Sequence, residues 1–221
     1  MKKIFFLLNV LLSFIFKAEV FAQEQYQGKA INEQVENALV KNYSDVKVFF
    51  EKAYSMYPEV PKGILEAVSY HYTHFKHISY NTPESSEELP RVYGIMGLTL
   101  NGKNYFRNNL ITVSILSGYS QEDIIKDTAV NVNAYAAAFS FLKNYLKITS
   151  QKPEEMLKII AFLSELNINS TTTINDYTIN LYLYGILSFL NNKENQKNYN
   201  FPDYNINLDS VFGEANLKTF K

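Results

Sequence analysis

Between Val46 and Leu190, apolar residues return at steps of three and four in one stretch after another. A helix can bury that spacing along one face and a strand cannot. Val46, Phe49, Phe50, Ala53, Met56 and Tyr57 form one such stripe, and Pro58 ends it. Pro61 stands where a helix can open without losing a hydrogen bond, so Ile64, Leu65, Ala67, Val68, Tyr72 and Phe75 are predicted to follow as a second, more buried helix. Ser120 has Asp123 three residues on, the spacing of a capping box, and marks another start. Asn131 to about Lys147 sets Val132, Tyr135, Ala136, Phe139, Leu142 and Leu146 on one face, and Ala136, Ala137 and Ala138 allow close packing. A further helix opens at Pro153 and turns Met156, Leu157, Ile160 and Leu163 inward, while Ile179 to Leu190 is apolar almost all round and reads as a central buried helix. Asn81 to Pro90 is a polar loop carrying Glu84, Glu87 and Glu88. Tyr93 to Leu100, running into Asn101-Gly102, predicts a short hairpin or tight loop. The fold class is therefore all-α, or α-dominated with at most a short hairpin.

The amino-terminal 22 residues have a different logic. Lys2 and Lys3 precede an apolar run from Ile4 to Phe16, and Val20-Phe21-Ala22 closes the segment before Gln23. That is the layout of a cleavable secretory peptide. Asn9 interrupts the run and Lys17 ends it, which leaves it short of the roughly 20 apolar residues of a membrane span. The expected organisation is a signal peptide at 1–22, a tether or first helix at 23–43, a helical domain at 44–190 and an asparagine-rich tail at 191–221. The expected location is periplasmic or extracellular, with no membrane span once the signal is removed.

No cysteine occurs in the 221 residues, which excludes disulfides, thiolate metal sites and a cysteine nucleophile. A mature chain of about 200 residues can bury a sufficient core without such staples. Charge is balanced, 21 Lys plus Arg against 22 Asp plus Glu, so no broad field favours nucleic acid. Most of the 17 tyrosines are expected in the core or at its rim, although tyrosine also suits stacking on sugar rings. The three histidines, His71, His74 and His77, follow one another at steps of three. Each step turns a helix by about 300°, so the side chains fan apart and no metal site is expected. Histidines near the carboxyl end of a helix instead face the negative end of its dipole and line a polar groove. Phosphate-binding loops, serine-hydrolase elbows and the zinc-protease His-Glu-x-x-His pattern are absent, and no cofactor is expected.

Three segments together resemble the lysozyme-like fold of lytic transglycosylases and goose-type lysozymes. Tyr57 to Phe75 is similar to the family's opening, in which a helix entered after a proline ends in Glu-Ser. Tyr93-Gly94-Ile95-Met96-Gly97-Leu98 is similar to its Gly-Leu-Met-Gln-Leu, and Asn131 to Leu142 to its Asn-Ile-x-x-Gly-x-x-Tyr-Leu helix. The set also resembles the amino-terminal region of some two-part cell-wall amidases, whose zinc module is not expected in this chain. The resemblance implies a peptidoglycan glycan strand as partner, with a separate cell-wall amidase as a possible companion.

The departures bear on chemistry. Glycosidic cleavage needs a carboxylic acid held protonated near neutral pH. The family's acid position falls on Tyr72, followed by Thr73, and its motif glutamine falls on Gly97. A phenol with a pKa near 10 is a weak proton donor beside such a carboxyl. His71 and Glu66 are the remaining candidates, but Glu66 lies about 9 Å along the axis from Tyr72 and is expected at the helix surface. The loop glutamates are expected to be solvated and ionised. The leading expectation is an exported, degenerate lysozyme-like domain that binds peptidoglycan without the usual acid, its groove lined by His71, Tyr72, His74, Tyr93, Gly94, Met96 and Tyr135. The alternatives are an active glycan-cleaving enzyme with a substitute acid, and a helical adaptor for another envelope protein, which would expose a large apolar patch.

Overall fold

A computed structural model describes residues 29, 31–82, 89–102 and 105–220. Residues 1–22, expected as a secretory peptide, and Glu84, Glu87 and Glu88 lie outside the described residues. Two compact units divide between Lys41 and Asn42. In the first, residues 29 and 31–41 are helical.

The second unit opens with helix α1 (residues 42–56), which buries Tyr43, Phe50 and Ala53. Met56, placed on the buried stripe by its spacing, is 47% exposed because the helix ends there and the chain turns away at Pro58. Helix α2 (Ile64–Thr73) buries Ile64, Leu65, Ala67 and Val68 and stops where His74 and Phe75 adopt positive φ. Strands β1 (Val92–Tyr93) and β2 (Leu98–Thr99) pair antiparallel. The hairpin exists, but Gly94 to Gly97 make its turn, and Asn101-Gly102 comes after the second strand.

Helix α3 (Asn109–Ser117) follows, then α4 (Gln121–Lys126), capped by Ser120 Oγ accepting from Asp123 N at 3.1 Å. Helix α5 (Thr128–Tyr145) starts at an Asp127 cap, three residues before Asn131. After a 3-10 turn at Pro153–Glu155 come α6 (Leu157–Leu163) and α7 (Thr173–Asn191). Helix α5 packs on α3, α4 and α6, and α7 packs on α2 and α6. The core lies between these two long helices.

The segment expected as a tail is built into this unit as α8 (Lys193–Tyr199), α9 (Leu208–Phe212) and α10 (Glu214–Phe220). Tyr199, Phe201, Ile206, Phe212 and Leu217 are buried. Each short helix supplies only one or two core residues, too few to make a periodic stripe. Tyr199 stacks at 24° on Phe189 of α7 and meets Tyr43 of α1 edge to face, and Tyr43 Oη donates to Tyr199 O at 3.2 Å. Among the described residues no helix is long and apolar enough to cross a membrane.

Candidate functional site

Residues 57–75, 93–98 and 131–142 meet at the carboxyl end of α2. Thr73 Oγ1 donates to Ile95 O at 2.6 Å. Asn131 Oδ1 accepts from Met96 N at 2.8 Å, and its Nδ2 donates to Ile124 O at 2.9 Å. Two glycines make this closeness possible. A Cβ on Gly94 (φ 68°) would lie 1.9 Å from Asn131 Nδ2, and one on Gly97 (φ 63°) would lie 2.4 Å from Tyr72 Cβ. Both the left-handed backbone and the absent side chain are required here. Gly97 therefore leaves room for Tyr72.

The seven residues expected to line a groove divide into two groups. Tyr93, Gly94, Met96 and Tyr135 are buried, whereas His71 and His74 reach the surface and Tyr72 is half-buried. Burial follows from the hairpin turn being packed under Asn131 rather than raised beside it. The histidines diverge: His71 lies against Tyr72 and Tyr182, and His77 Nε2 is 2.9 Å from Ile125 O. Among the described residues no three His, Cys, Asp or Glu side chains are grouped to hold a metal ion.

Tyr72 leads to a carboxyl that spacing did not reveal. Its Oη donates to Glu165 Oε2 at 2.5 Å. Glu165 sits just past α6, where Arg107 N donates to its carbonyl at 2.7 Å and the Arg107 guanidinium is fixed on the carbonyls of Phe162 and Ser164. Tyr182 of α7 packs on Tyr72 with ring centroids 5.6 Å apart. Tyr135 of α5 is buried nearby, its hydroxyl without a hydrogen-bond partner among the described residues. Burial pushes the Glu165 carboxyl above the usual carboxylate range, outweighing the opposing pull of the Tyr72 hydrogen bond and the Arg107 charge. The phenols of Tyr72, Tyr135 and Tyr182 are also pushed up, first by burial and then by neighbouring acidic groups. Tyr72 thus presents a phenol hydrogen-bonded to a sheltered carboxyl 93 residues away.

Glu66 is a second sheltered carboxyl, and its expected place at the helix surface is corrected: it is 3% exposed. Helix α2 turns this position toward α1, where Tyr54 Oη donates to Oε2 and Oε1 lies 3.2 Å from Tyr43 Oη. Tyr54 Oη in turn accepts from Gly63 N at 2.8 Å and Leu65 N at 3.2 Å, satisfying two backbone donors at the start of α2. Burial raises the Glu66 pKa to about 7 against the lowering effect of these hydrogen bonds. The carboxyl borders a cavity of about 250 Å³ that Lys47 and Lys62 also line. This cavity faces α1 and α8, not Tyr72.

His71 opens on a hollow of about 310 Å³ whose lining is mixed, with Ala67 and Phe189 beside the polar groups. Tyr70, Ser188, Asn192 and Asn195 share its wall, and Gly185 adds space, since a Cβ there would come within 3.3 Å of the imidazole. Ser188 Oγ is buried without a hydrogen-bond partner among the described residues. Partial burial, then the neighbouring His74, lowers the His71 pKa, so its ring is neutral at pH 7 and offers both a donor and an acceptor. Hydroxyl, amide and imidazole groups beside aromatic rings form a surface suited to a neutral polyhydroxylated ligand.

No protein-family model, no curated protein and no solved structure matches this chain.

Proposed function

We propose that the chain is an exported cell-wall protein that binds peptidoglycan glycan strands through the face carrying His71 and Tyr72. The observation that supports this most is the cavity beside His71: uncharged, hydrogen-bonding and aromatic, it adjoins the point where the three lysozyme-like segments converge. A sugar ring there would meet Asn195 and His71 and stack on Tyr70. The test is retention on purified insoluble peptidoglycan. The mature protein is expected to sediment with sacculi well above a control protein of similar size and charge, and retention equal to the control would remove the proposal.

A second reading is favoured by Glu165. A carboxyl that burial keeps protonated above the usual range, in contact with Tyr72, is a candidate substitute for the missing family acid. Sacculi incubated with the protein and analysed by mass distinguish the two. Soluble muropeptides that disappear with Glu165→Gln would make this an enzyme, whereas retention without release keeps it a binding domain. A separate cell-wall amidase remains the proposed companion on either reading.

A further inference from the structure

On another face, helix α6 is only seven residues long and leaves a hollow between the end of α5 and the middle of α7. The hollow has a volume of about 550 Å³, inside the range of small-molecule sites. Its walls are almost entirely hydrocarbon, with Leu142 and Leu146 from α5, Phe162 from α6, and Ile179 and Leu183 from α7. Phe141 and Tyr145 stack at its edge, 50% and 74% exposed. Among the described residues Lys158 is the one charged side chain that lines it. The other cation of these three helices faces elsewhere, since Lys143 donates to Glu59 O at 2.7 Å.

The geometry points to a binding site for a long-chain alkyl carboxylate, its tail lying between α5, α6 and α7 and its head at Lys158. The walls give a polar ligand almost nothing to hydrogen-bond, so burying one there is unfavourable, while an alkyl chain loses contact with water over most of its length. A single cation beside an apolar hollow selects an anionic head over a neutral or cationic one. The Tyr145 hydroxyl is the other polar group able to donate to it. This site is separate from the His71 face and does not depend on the proposed function.

Dodecanoate, titrated calorimetrically into the full mature chain below its micelle concentration, tests the assignment. Saturable binding of one molecule per chain is expected. Lys158→Gln should weaken dodecanoate by about fivefold and leave dodecanol unchanged, the effect of one exposed charge pair. Ala161→Phe, which fills the hollow, should abolish both; if that variant fails to fold, Ile168→Lys at the rim serves instead. No saturable binding, equal affinity with Lys158→Gln, or undiminished affinity with the filled or charged hollow would overturn the site. So would a dimer in sedimentation that dodecanoate does not dissociate, because the hollow would then be the seat of a second copy.

Discussion

Glu66 keeps its proton to about pH 7 because burial opposes its charge more strongly than two phenols support it. A carboxyl whose pKa is raised on folding makes the native state the tighter proton binder. Its contribution is full below the unfolded value near 4.5 and is lost as pH rises through 7, amounting to roughly 3 kcal/mol. The melting temperature of the protein should therefore fall between pH 5 and 8, and that slope should flatten in Glu66→Gln, as differential scanning fluorimetry across the range would show. At Glu165 the sign concerns a single hydrogen bond. Tyr72 lowers the Glu165 pKa, so Tyr72→Phe should raise it further and cost about 1–2 kcal/mol of stability through the lost bond. A carbon-detected NMR titration of the glutamate side chains, with urea unfolding, measures both. Neither carboxyl's role was legible in the sequence. Glu66 sits on a helix whose apolar stripe is wide enough to swallow a glutamate, and the pairing of Glu165 with Tyr72 is created only when the chain just past α6 reaches Tyr72.

At the scale of elements, the turn between β1 and β2 is the tightest junction. Gly94→Ala would force Asn131 away from the Met96 amide while straining a backbone at φ 68°, so a loss of about 2 kcal/mol or more is expected in chemical denaturation. Gly97→Ala should behave similarly by displacing Tyr72. The long helices α1, α2, α5 and α7 were readable because each repeats its apolar positions over two turns or more. Helix α3 escaped notice because Asn108-Asn109 looks like loop and its nine residues include only three buried ones. That asparagine is structural: Asn109 Oδ1 accepts from Thr99 N at 2.7 Å and its Nδ2 donates to Leu163 O at 2.8 Å, tying hairpin, α3 and α6 together.

For the whole molecule, the carboxyl-terminal helices complete the core rather than trail from it. A chain ended at Asn191 would uncover the aromatic cluster of Tyr43, Tyr70, Phe75 and Phe189 that Tyr199 and Phe201 cover, and circular dichroism should record a broad melt in place of a cooperative one. This closure also shapes the cavity beside His71, since Asn192 caps α8 and Asn195 is anchored on Phe189 O at 3.2 Å. Glycan strands are proposed to dock in this cavity, and Ser188→Leu tests the docking most directly by filling the cavity from α7. With folding verified, the bound fraction on insoluble peptidoglycan should drop to the control level in Ser188→Leu and stay high in Met56→Ala on α1. Equal retention of both variants would contradict the claim.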